Sequence, residues 1–400
     1  MMDFVTHGLK LSKSPQHRAR ERFVASLRAY VLIDLANDLR SDYEQEVLPA
    51  LAAEQAPAPK DGVAVHKLMR GRDQFNFYSS LRCTAQEIVW DSVNDFLDGQ
   101  QTLLDERFTA LSKDHSVAGS LQLDPSLKAP GYYDVTDVHL MPGNYDAHGK
   151  DTGLAPGALY DNGFNVFAFG AMGREFSDIG WSMAQFTKLR FPQLDPRCIV
   201  DVGCTVGHNT LPWKQTFPEA RVHGLDLAAG CLKYGHARAQ SMGIEAHFQQ
   251  ARADHLPFDD DSVDVVFTSM FLHELPLKHI QATLAEAFRV LRPGGVMLHM
   301  ELPPNAPLAP YDQFYLDWDS YYNSEPYYKN FRDQDYQQLC IDAGFDRDRF
   351  FQAVMPRFTY VEESEFESAV MGEAKFDEDT GRLSHDIEWY GFGATKGEES

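Results

Sequence analysis

A glycine-containing turn with an aspartate on either side is the part of this chain that most clearly suggests chemistry. An apolar run ends at Asp201, and two glycines, Gly203 and Gly207, follow with a spacing of four residues. Glycine permits backbone angles that are closed to other residues and lets a ligand or a helix approach the main chain closely. Asp226 ends the next apolar run, 25 residues after Asp201, where a doubly wound fold binds ribose hydroxyls. The spacing predicts an enzyme that uses a nucleotide-type cofactor.

Two common phosphate-binding motifs do not fit this turn. The dinucleotide motif Gly-x-Gly-x-x-Gly needs glycines where this chain has Thr205 and His208, and no Gly-Lys-Ser/Thr sequence follows for a Walker loop. The turn resembles instead motif I of the class I S-adenosylmethionine (SAM) methyltransferases, in which it receives the methionine end of SAM.

Three further segments, in the same order as in that family, extend the resemblance over residues 197–302. Residues 252–264, 265–275 and 286–295 are similar to segments of the ubiquinone/menaquinone-type small-molecule methyltransferases. Their most distinctive parts are Leu256-Pro257-Phe258, Leu272-His273-Glu274-Leu275 and Arg292-Pro293-Gly294-Gly295. The resemblance implies an α/β fold with a Rossmann-like, seven-stranded SAM-methyltransferase sheet. It also implies SAM as the cofactor and S-adenosylhomocysteine as its product.

The resemblance assigns a set of cofactor-binding residues: Asp201, Gly203, Cys204, Gly207, Asp226, Leu227, Ala253 and Asp254. One position departs from the family, because the aspartate that contacts adenine falls on Arg252. Either Asp254 takes over the adenine amino group, or adenine is held by backbone and apolar contacts. Arg252 is then a solvated surface charge or a cofactor contact. We favour Asp254 for the adenine.

The ends of two further strands suggest catalytic residues. Methyl transfer needs in-line alignment of acceptor, methyl carbon and sulfur, and an acceptor with a removable proton also needs a base. Since ligands lie at the carboxyl ends of parallel strands, we expect His273, Glu274 and Glu301 near the methyl group. His273 is the general-base candidate because imidazole titrates near neutral pH; the alternative is that His273 and Glu274 only orient the loop. No pair of His or Cys residues has metal-ligand spacing, so we expect no metal.

Residues that bind the acceptor are expected outside the cofactor motifs. His139, Tyr145 and His148 belong to an irregular segment, 113–164, that is too long for a simple connection. We therefore expect His139, His148 and Tyr145 to line the acceptor pocket.

An aromatic insertion at residues 306–333 offers a second set of acceptor contacts. Tyr315, Trp318 and Tyr322 have the spacing of one helix face. That face either packs as part of the core or closes over the acceptor. Aromatic rings in such a position suit a cationic, an aromatic or an apolar acceptor.

The composition narrows the class of protein. The 400 residues include 36 Lys and Arg and 59 Asp and Glu, for a formal net charge of −23. This charge argues against nucleic acid as a partner, because phosphates require a basic footprint. Five cysteines, odd in number and without a Cys-x-x-Cys pair, are typical of a reducing compartment. With neither a signal peptide nor a run of 18 apolar residues, we expect a cytoplasmic protein that spans no membrane.

The chain is expected to have two regions. Residues 1–164 are predicted to be mainly helical, over 15–56 and 63–112, and to form a homodimer face or a cap on the substrate. Residues 165–400 are predicted to form the SAM-binding domain, with strands at 296–302 and 350–355 and an antiparallel last strand at 389–395. A helix is predicted from Asp333, as its N-cap, to Ala343.

These features together predict a SAM-dependent methyltransferase that acts on a small molecule through oxygen. Transfer to nitrogen or to a thioether sulfur is the alternative within enzymes. A non-catalytic SAM-binding or scaffold protein is the alternative of another class.

Overall fold

The computed structural model describes residues 7–113, 116–133, 135–146, 153–384 and 386–398; His148 lies outside them. One mixed sheet contains eight strands: β1 (Ser120–Gln122), β2 (Cys198–Val202), β3 (Arg221–Asp226), β4 (His247–Gln250), β5 (Val263–Ser269), β6 (Leu291–Glu301), β7 (Phe350–Pro356) and β8 (Glu388–Thr395). The spatial order is β1-β4-β3-β2-β5-β6-β8-β7, and β8 runs antiparallel to both of its neighbours.

The helices that precede β2 are α1 (Pro15–Ala29), α2 (Ala36–Asp42), α3 (Leu48–Ala53), α4 (Gly62–Met69), α5 (Asp73–Leu97), α6 (Gln101–Leu111), α7 (Ala155–Phe167) and α8 (Asp178–Arg190). Two π-helical segments, Tyr30–Leu35 and Tyr43–Val47, join α1, α2 and α3 into one continuous helical stretch. The remaining helices are α9 (Leu211–Thr216), α10 (Ala229–Ser241), α11 (Leu277–Val290), α12 (Pro310–Tyr322), α13 (Tyr328–Arg332), α14 (Tyr336–Asp342) and α15 (Glu363–Met371). Short 3₁₀ turns lie at Val138–Leu140, Arg174–Phe176, Leu272–Glu274, Arg347–Arg349 and Phe358–Tyr360.

The central strands are apolar on both faces because helices cover both sides of the sheet. Along β5, Val266 packs into one buried cluster, and its neighbours Val265 and Phe267 pack into another. Such strands read as continuous apolar runs rather than alternating ones. This is why the strand motifs were visible in the sequence.

The order of strands reverses beside β2. From β2 the chain continues outward to β3 and β4, and then returns to the other side of β2 to form β5 and β6. A reversal of this kind leaves a crevice at the carboxyl ends of the two diverging strands, where ligands bind in doubly wound folds. The turn that contains Gly203 follows β2, and the turn that contains His273 follows β5.

The predicted α/β, Rossmann-like fold is confirmed, with eight strands rather than seven. The additional strand, β1, pairs in parallel with β4 at the edge of the sheet. Its three residues include a single apolar one, Leu121, so no strand pattern is apparent in the sequence there. Backbone pairing with β4 and the packing of Leu121 place them in the sheet. The prediction of an antiparallel last strand is confirmed by β8.

The helix predicted from Asp333 begins later than expected. Asp335 is the N-cap of α14, where its carboxylate accepts a hydrogen bond from the Gln338 amide at 3.0 Å. Asp333 instead contacts Lys329 at 2.6 Å. Two aspartates two residues apart both fit an N-cap pattern, and the prediction chose the wrong one.

The N-terminal helices pack onto the rest of the chain through α7 and α12. Gly163 of α7 lies so close to Trp90 of α5 that a Cβ would overlap the indole ring. Val65 of α4 and Phe75 of α5 share a buried cluster with Phe314 of α12. No helix in the described part of the chain is long and apolar enough to cross a membrane.

Candidate functional site

A cavity opens where the strand order reverses. Its lining combines the turn after β2, the tip of β3, the segment after β5, and residues from α1, α5 and α12. The carboxyl edge of the sheet forms its floor, and the N-terminal helices close over the opposite side. Within the described ranges, no group of three His, Cys, Asp or Glu side chains could hold a metal ion.

The turn after β2 is held in one conformation by backbone contacts. Gly203 has a φ of +78°, and a Cβ there would overlap the ring of Phe271. The amides of Gly203 and Cys204 donate to the carbonyl of Leu225 at 2.8 and 3.0 Å. The backbone at Gly203 therefore faces the cavity without a side chain, as close approach by a ligand requires.

Asp226 supports this turn from the tip of β3. Its Oδ2 accepts the amide of Thr205 at 2.8 Å, and its Oδ1 accepts the amide of Ala228 at 2.9 Å. Burial raises the pKa of Asp226, although these amide hydrogen bonds act in the opposite direction. The carboxylate also lines the cavity. The predicted contact with ribose hydroxyls would therefore add to the two hydrogen bonds by which Asp226 holds the turn.

Asp201, at the end of β2, is buried beneath the turn. It accepts a hydrogen bond from Thr210 Oγ1 at 2.6 Å, and burial raises its pKa to about 7. Cys204, Leu227 and Ala253 also line this side of the cavity.

Gly207 lies behind the turn, away from the cavity lining. It has a φ of +75°, and a Cβ there would lie 2.8 Å from the ring of Phe248. The structure gives Gly207 a close packing contact with β4, and its predicted cofactor contact stays a prediction.

Arg252 and Asp254 form one ion pair at the edge of the cavity. Arg252 Nε lies 2.8 Å from Asp254 Oδ1, and its Nη2 lies 2.6 Å from Oδ2. The hydrogen bonds from Arg252 are the main reason that the pKa of Asp254 is lowered. Both side chains line the cavity, so the assignment of adenine to Asp254 stays a prediction, and the two residues must be tested as a pair.

His273 is a buried partner of Glu301. Its Nδ1 lies 2.5 Å from Glu301 Oε2, and its ring stacks on Tyr328 with centroids 3.8 Å apart. Burial alone would lower the pKa of His273, but the Glu301 carboxylate outweighs it and raises the pKa to about 9. A raised pKa disfavours proton uptake by His273 at neutral pH. The contact with Glu301 orients the imidazole ring, and the general-base role of His273 stays a prediction.

Glu274 belongs to a group of polar residues that we name the acceptor cluster: His139, Tyr145, Glu274, Asn323 and Glu325. All five line the cavity. Tyr145 donates its hydroxyl hydrogen to Glu274 Oε1 at 2.6 Å, and His139 Nε2 lies 3.6 Å from the same oxygen. On its other side, His139 Nδ1 lies 3.1 Å from Glu325 Oε1 and 2.8 Å from Asn323 Nδ2.

Two members of the acceptor cluster depart from ordinary values: His139 in its backbone conformation and Glu274 in its pKa. His139 has a φ of +59°, which a non-glycine residue adopts only when its surroundings impose it. Its carbonyl oxygen accepts hydrogen bonds from Gln86 Nε2 and Trp90 Nε1, both at 2.7 Å. Burial raises the pKa of Glu274, although His139 and His273 act in the opposite direction.

The sequence relationships agree with this geometry. A family model described as a methyltransferase domain matches residues 199–295. The ubiquinone/menaquinone biosynthesis C-methyltransferase UbiE of Bartonella tribocorum is 30% identical over 187 residues, which cover 42% of this chain and 71% of that protein. The chain belongs to the class I SAM-dependent methyltransferases. The predicted family, enzyme class and SAM cofactor are thereby confirmed.

Other relatives differ in the acceptors that their names state. Malonyl-[acyl-carrier protein] O-methyltransferase 1 of Coxiella burnetii is 35% identical over 118 residues, which cover 30% of this chain and 38% of that protein. The tRNA N(3)-methylcytidine methyltransferase Mettl2 of Drosophila melanogaster is 31% identical over 136 residues, with coverage of 31% and 42%. In each of these two matches, the chain spans about two fifths of the relative's length.

The aromatic insertion of this methyltransferase is divided between the cavity and the packing of the N-terminal helices. Tyr315 lines the cavity, but Trp318 and Tyr322 do not. The Trp318 ring lies 4.2 Å from that of His66 and 5.1 Å from that of Phe75, and its Nε1 donates to Ser79 Oγ at 3.2 Å. The structure places Trp318 and Tyr322 against α4 and α5 because helix α12 turns its other face to the cavity.

Several charged residues of this methyltransferase cavity were not predicted from the sequence: Arg28, Arg82, Asp319, Glu325 and Arg382. They follow no motif and come from distant parts of the chain. One signal was available for Arg28, which interrupts the apolar stripe of α1 between the buried residues Val24 and Val31. A charged residue on an apolar helix face must have a reason to be buried.

Proposed function

We propose that this methyltransferase moves the methyl group of SAM to a small-molecule acceptor held in the cavity. The observation that carries the proposal is that one cavity contains both the Gly203 turn with Asp226 and the acceptor cluster. A cofactor on the turn and an acceptor on the cluster would then share one enclosed space. Helices α1, α5 and α12 cover the cavity, which suits a compact acceptor.

We propose oxygen as the methylated atom and Glu274 as the base. A hydroxyl acceptor must lose its proton, and a carboxylate is a better base when its pKa is raised toward neutrality. Burial shifts the pKa of Glu274 in this direction. The Tyr145 hydroxyl donates to Glu274 Oε1 at 2.6 Å, so a hydroxyl donor can reach this carboxylate. Transfer to a tertiary amine or to a thioether sulfur would need no such base.

A second candidate acceptor is RNA, because one relative is named as a tRNA methyltransferase. The formal net charge of −23 weighs against it, since nucleic-acid binding draws most of its affinity from basic residues near phosphates. The matched segment of that relative covers 31% of this chain. We therefore rank the small molecule first.

We also propose that residues 1–164 act as a substrate cap on the domain formed by 165–400, in the cytoplasm. Support comes from Arg28 and Arg82, which reach the cavity from α1 and α5. A homodimer through the N-terminal helices stays a prediction, with Phe23 and Tyr30 as exposed apolar residues on or next to α1. Sedimentation velocity of the full chain tests it.

The proposed function is tested with isotope-labelled SAM. We expect calorimetric SAM binding, and transfer of label to a metabolite extract but not to total RNA. Glu274→Gln should lower kcat about 100-fold or more without changing the Kd of SAM. Glu106→Gln, an exposed position on α6, is the matched control and should leave both unchanged. SAM binding without label transfer to either extract would favour the non-catalytic alternative, and labelled RNA would favour the second candidate.

A further inference from the structure

Three buried arginines line one end of the cavity. Arg28, Arg82 and Arg382 are 1%, 2% and 8% exposed. They come from α1, from α5 and from the segment before β8. Arg28 and Arg82 both donate to the side-chain oxygen of Gln86, and Arg382 donates to the carbonyl of Leu32, one helical turn after Arg28. The three guanidinium groups therefore gather in one place.

Only one of these arginines has a carboxylate partner among the described residues. Arg82 binds Asp319 through Nε at 2.5 Å and Nη2 at 3.2 Å. Arg28 donates to the Phe167 carbonyl at 2.6 Å, lies over the Phe167 ring, and leaves its Nη2 without a hydrogen-bond partner. Arg382 donates to Asn37 at 2.8 Å and leaves its Nε without one.

Other buried or half-buried arginines of this chain do have such partners. Arg332, which is fully buried, pairs with Asp317 at 2.5 Å, and Arg40 on α2 pairs with Asp312. A buried cation without a counter-charge is strongly unfavourable, and proteins rarely keep one without a function. Burial, followed by repulsion from Arg82, lowers the pKa of Arg28 well below its ordinary value, although attraction by Asp319 acts in the opposite direction. An anion at this position would relieve both effects.

We infer that the acceptor carries an oxyanion, a carboxylate or a phosphate, which Arg28 and Arg382 bind at this end of the cavity; the inference rests on the proposed function. Guanidinium groups suit such groups because their planar donors match two oxygens at once. The side-chain oxygen of Gln86 accepts from Arg28, and its Nε2 donates to the carbonyl of His139. The anionic group is thus held beside the acceptor cluster, and it fixes which atom of the acceptor faces the methyl group.

Three small probes test the anion site directly: benzoate, phenyl phosphate and the neutral benzamide, each at constant ionic strength. We expect benzoate, phenyl phosphate or both to raise the Tm of the SAM-bound protein, and benzamide to raise it less. The anion that acts distinguishes a carboxylate from a phosphate site. Arg28→Met and Arg382→Met should weaken the effect at least tenfold in probe concentration, whereas Arg40→Met, outside the cavity, should not. Equal effects of benzamide and the anions, or no effect of any probe, would overturn the inference.

Two further measurements keep the inference separate from folding and from the proposed function. The hydrogen bonds of Arg28 go to neutral groups only, so the Tm of Arg28→Met without probe should fall no more than that of Arg40→Met. A larger fall would indicate a structural arginine. Metabolite extract is also separated on an anion exchanger before incubation with labelled SAM. The acceptor should lie in the retained fraction. Label transfer to the unretained fraction would overturn the anion site but leave methyl transfer intact, whereas no transfer with an intact probe effect would overturn methyl transfer alone.

Discussion

Replacing Glu301 with glutamine separates the two roles of this carboxylate at the end of β6. Its Oε1 accepts the amides of Phe271 and Leu272 at 2.9 and 2.6 Å, and its Oε2 contacts His273 at 2.5 Å. Glutamine keeps a carbonyl oxygen for the two amides and removes the charge that holds the imidazolium. Glu301→Gln should therefore preserve the turn after β5 and change the titration of His273.

The size of the effect follows from the pKa of His273. The pKa is raised from 6.5 to about 9 in the folded protein, and each unit corresponds to about 1.4 kcal/mol, so the pair contributes about 3 kcal/mol. The folded chain holds this proton more tightly than the unfolded chain. The stabilisation is thus fully present below pH 6.5 and is lost as the pH rises from 6.5 to about 9.

The measurement is the free energy of unfolding in urea at pH 6, 7.5 and 9. Between pH 6 and 9, the wild-type protein should lose about 3 kcal/mol more than Glu301→Gln loses. Glu106→Gln should behave like the wild type, since Glu106 is exposed and distant from the pair. Identical pH dependence in wild type and Glu301→Gln would mean that His273 is neutral near pH 7, and it would favour the general-base role.

Three other predictions concern the turn and the insertion. Gly203→Ala should weaken SAM binding at least tenfold, because it adds a left-handed strain of about 1–2 kcal/mol to an overlap with Phe271. Gly243→Ala is the control: Gly243 has a φ of +71° and open space around it, so the change should lower stability but leave the calorimetric Kd of SAM unchanged. Asp226→Ala should weaken SAM binding about ten- to hundredfold. Asp226→Asn should weaken it less, because the amide oxygen retains one acceptor for the turn. Equal losses in the two variants would limit the role of Asp226 to its charge, and unchanged affinity in both would remove the ribose assignment. Trp318→Ala should lower the free energy of unfolding by about 3 kcal/mol with normal kcat and KM, and a raised acceptor KM with an unchanged melt would return Trp318 to the pocket.

The cofactor side of this protein was predictable because its residues lie close together in the sequence. The turn after β2 and the tip of β3 are joined by one short βα unit, and the strand pattern fixes where each ends. Asp201, Gly203, Cys204 and Asp226 therefore reach the cavity as local motifs placed them. Gly207 shares the motif but lies away from the cavity lining and packs on Phe248 of β4; spacing alone does not distinguish a ligand contact from a close contact with a neighbouring strand.

The acceptor side was only partly predictable because its residues meet through packing over long sequence distances. His139 meets Glu325 and Asn323, about 185 residues later, and Arg382 meets Leu32. The spacing of Tyr315 and Trp318 indicated a helix correctly but not which of its faces turns toward the cavity. The environment of His273 was equally hidden, because residue type gives an unshifted pKa and burial beside Glu301 changes it.

The small strand β1 limits how this chain can be divided. Recognisable family motifs begin near residue 197, which invites the use of a recombinant fragment that starts just before them. In such a fragment β4 would lose its neighbour at residues 120–122, and its amide and carbonyl groups would form an open sheet edge. Open edges recruit strands from other molecules and promote aggregation. The segment that carries the family motifs is thus shorter than the segment that keeps β4 paired on both sides. Expression or domain-exchange experiments should therefore keep β1 with the sheet.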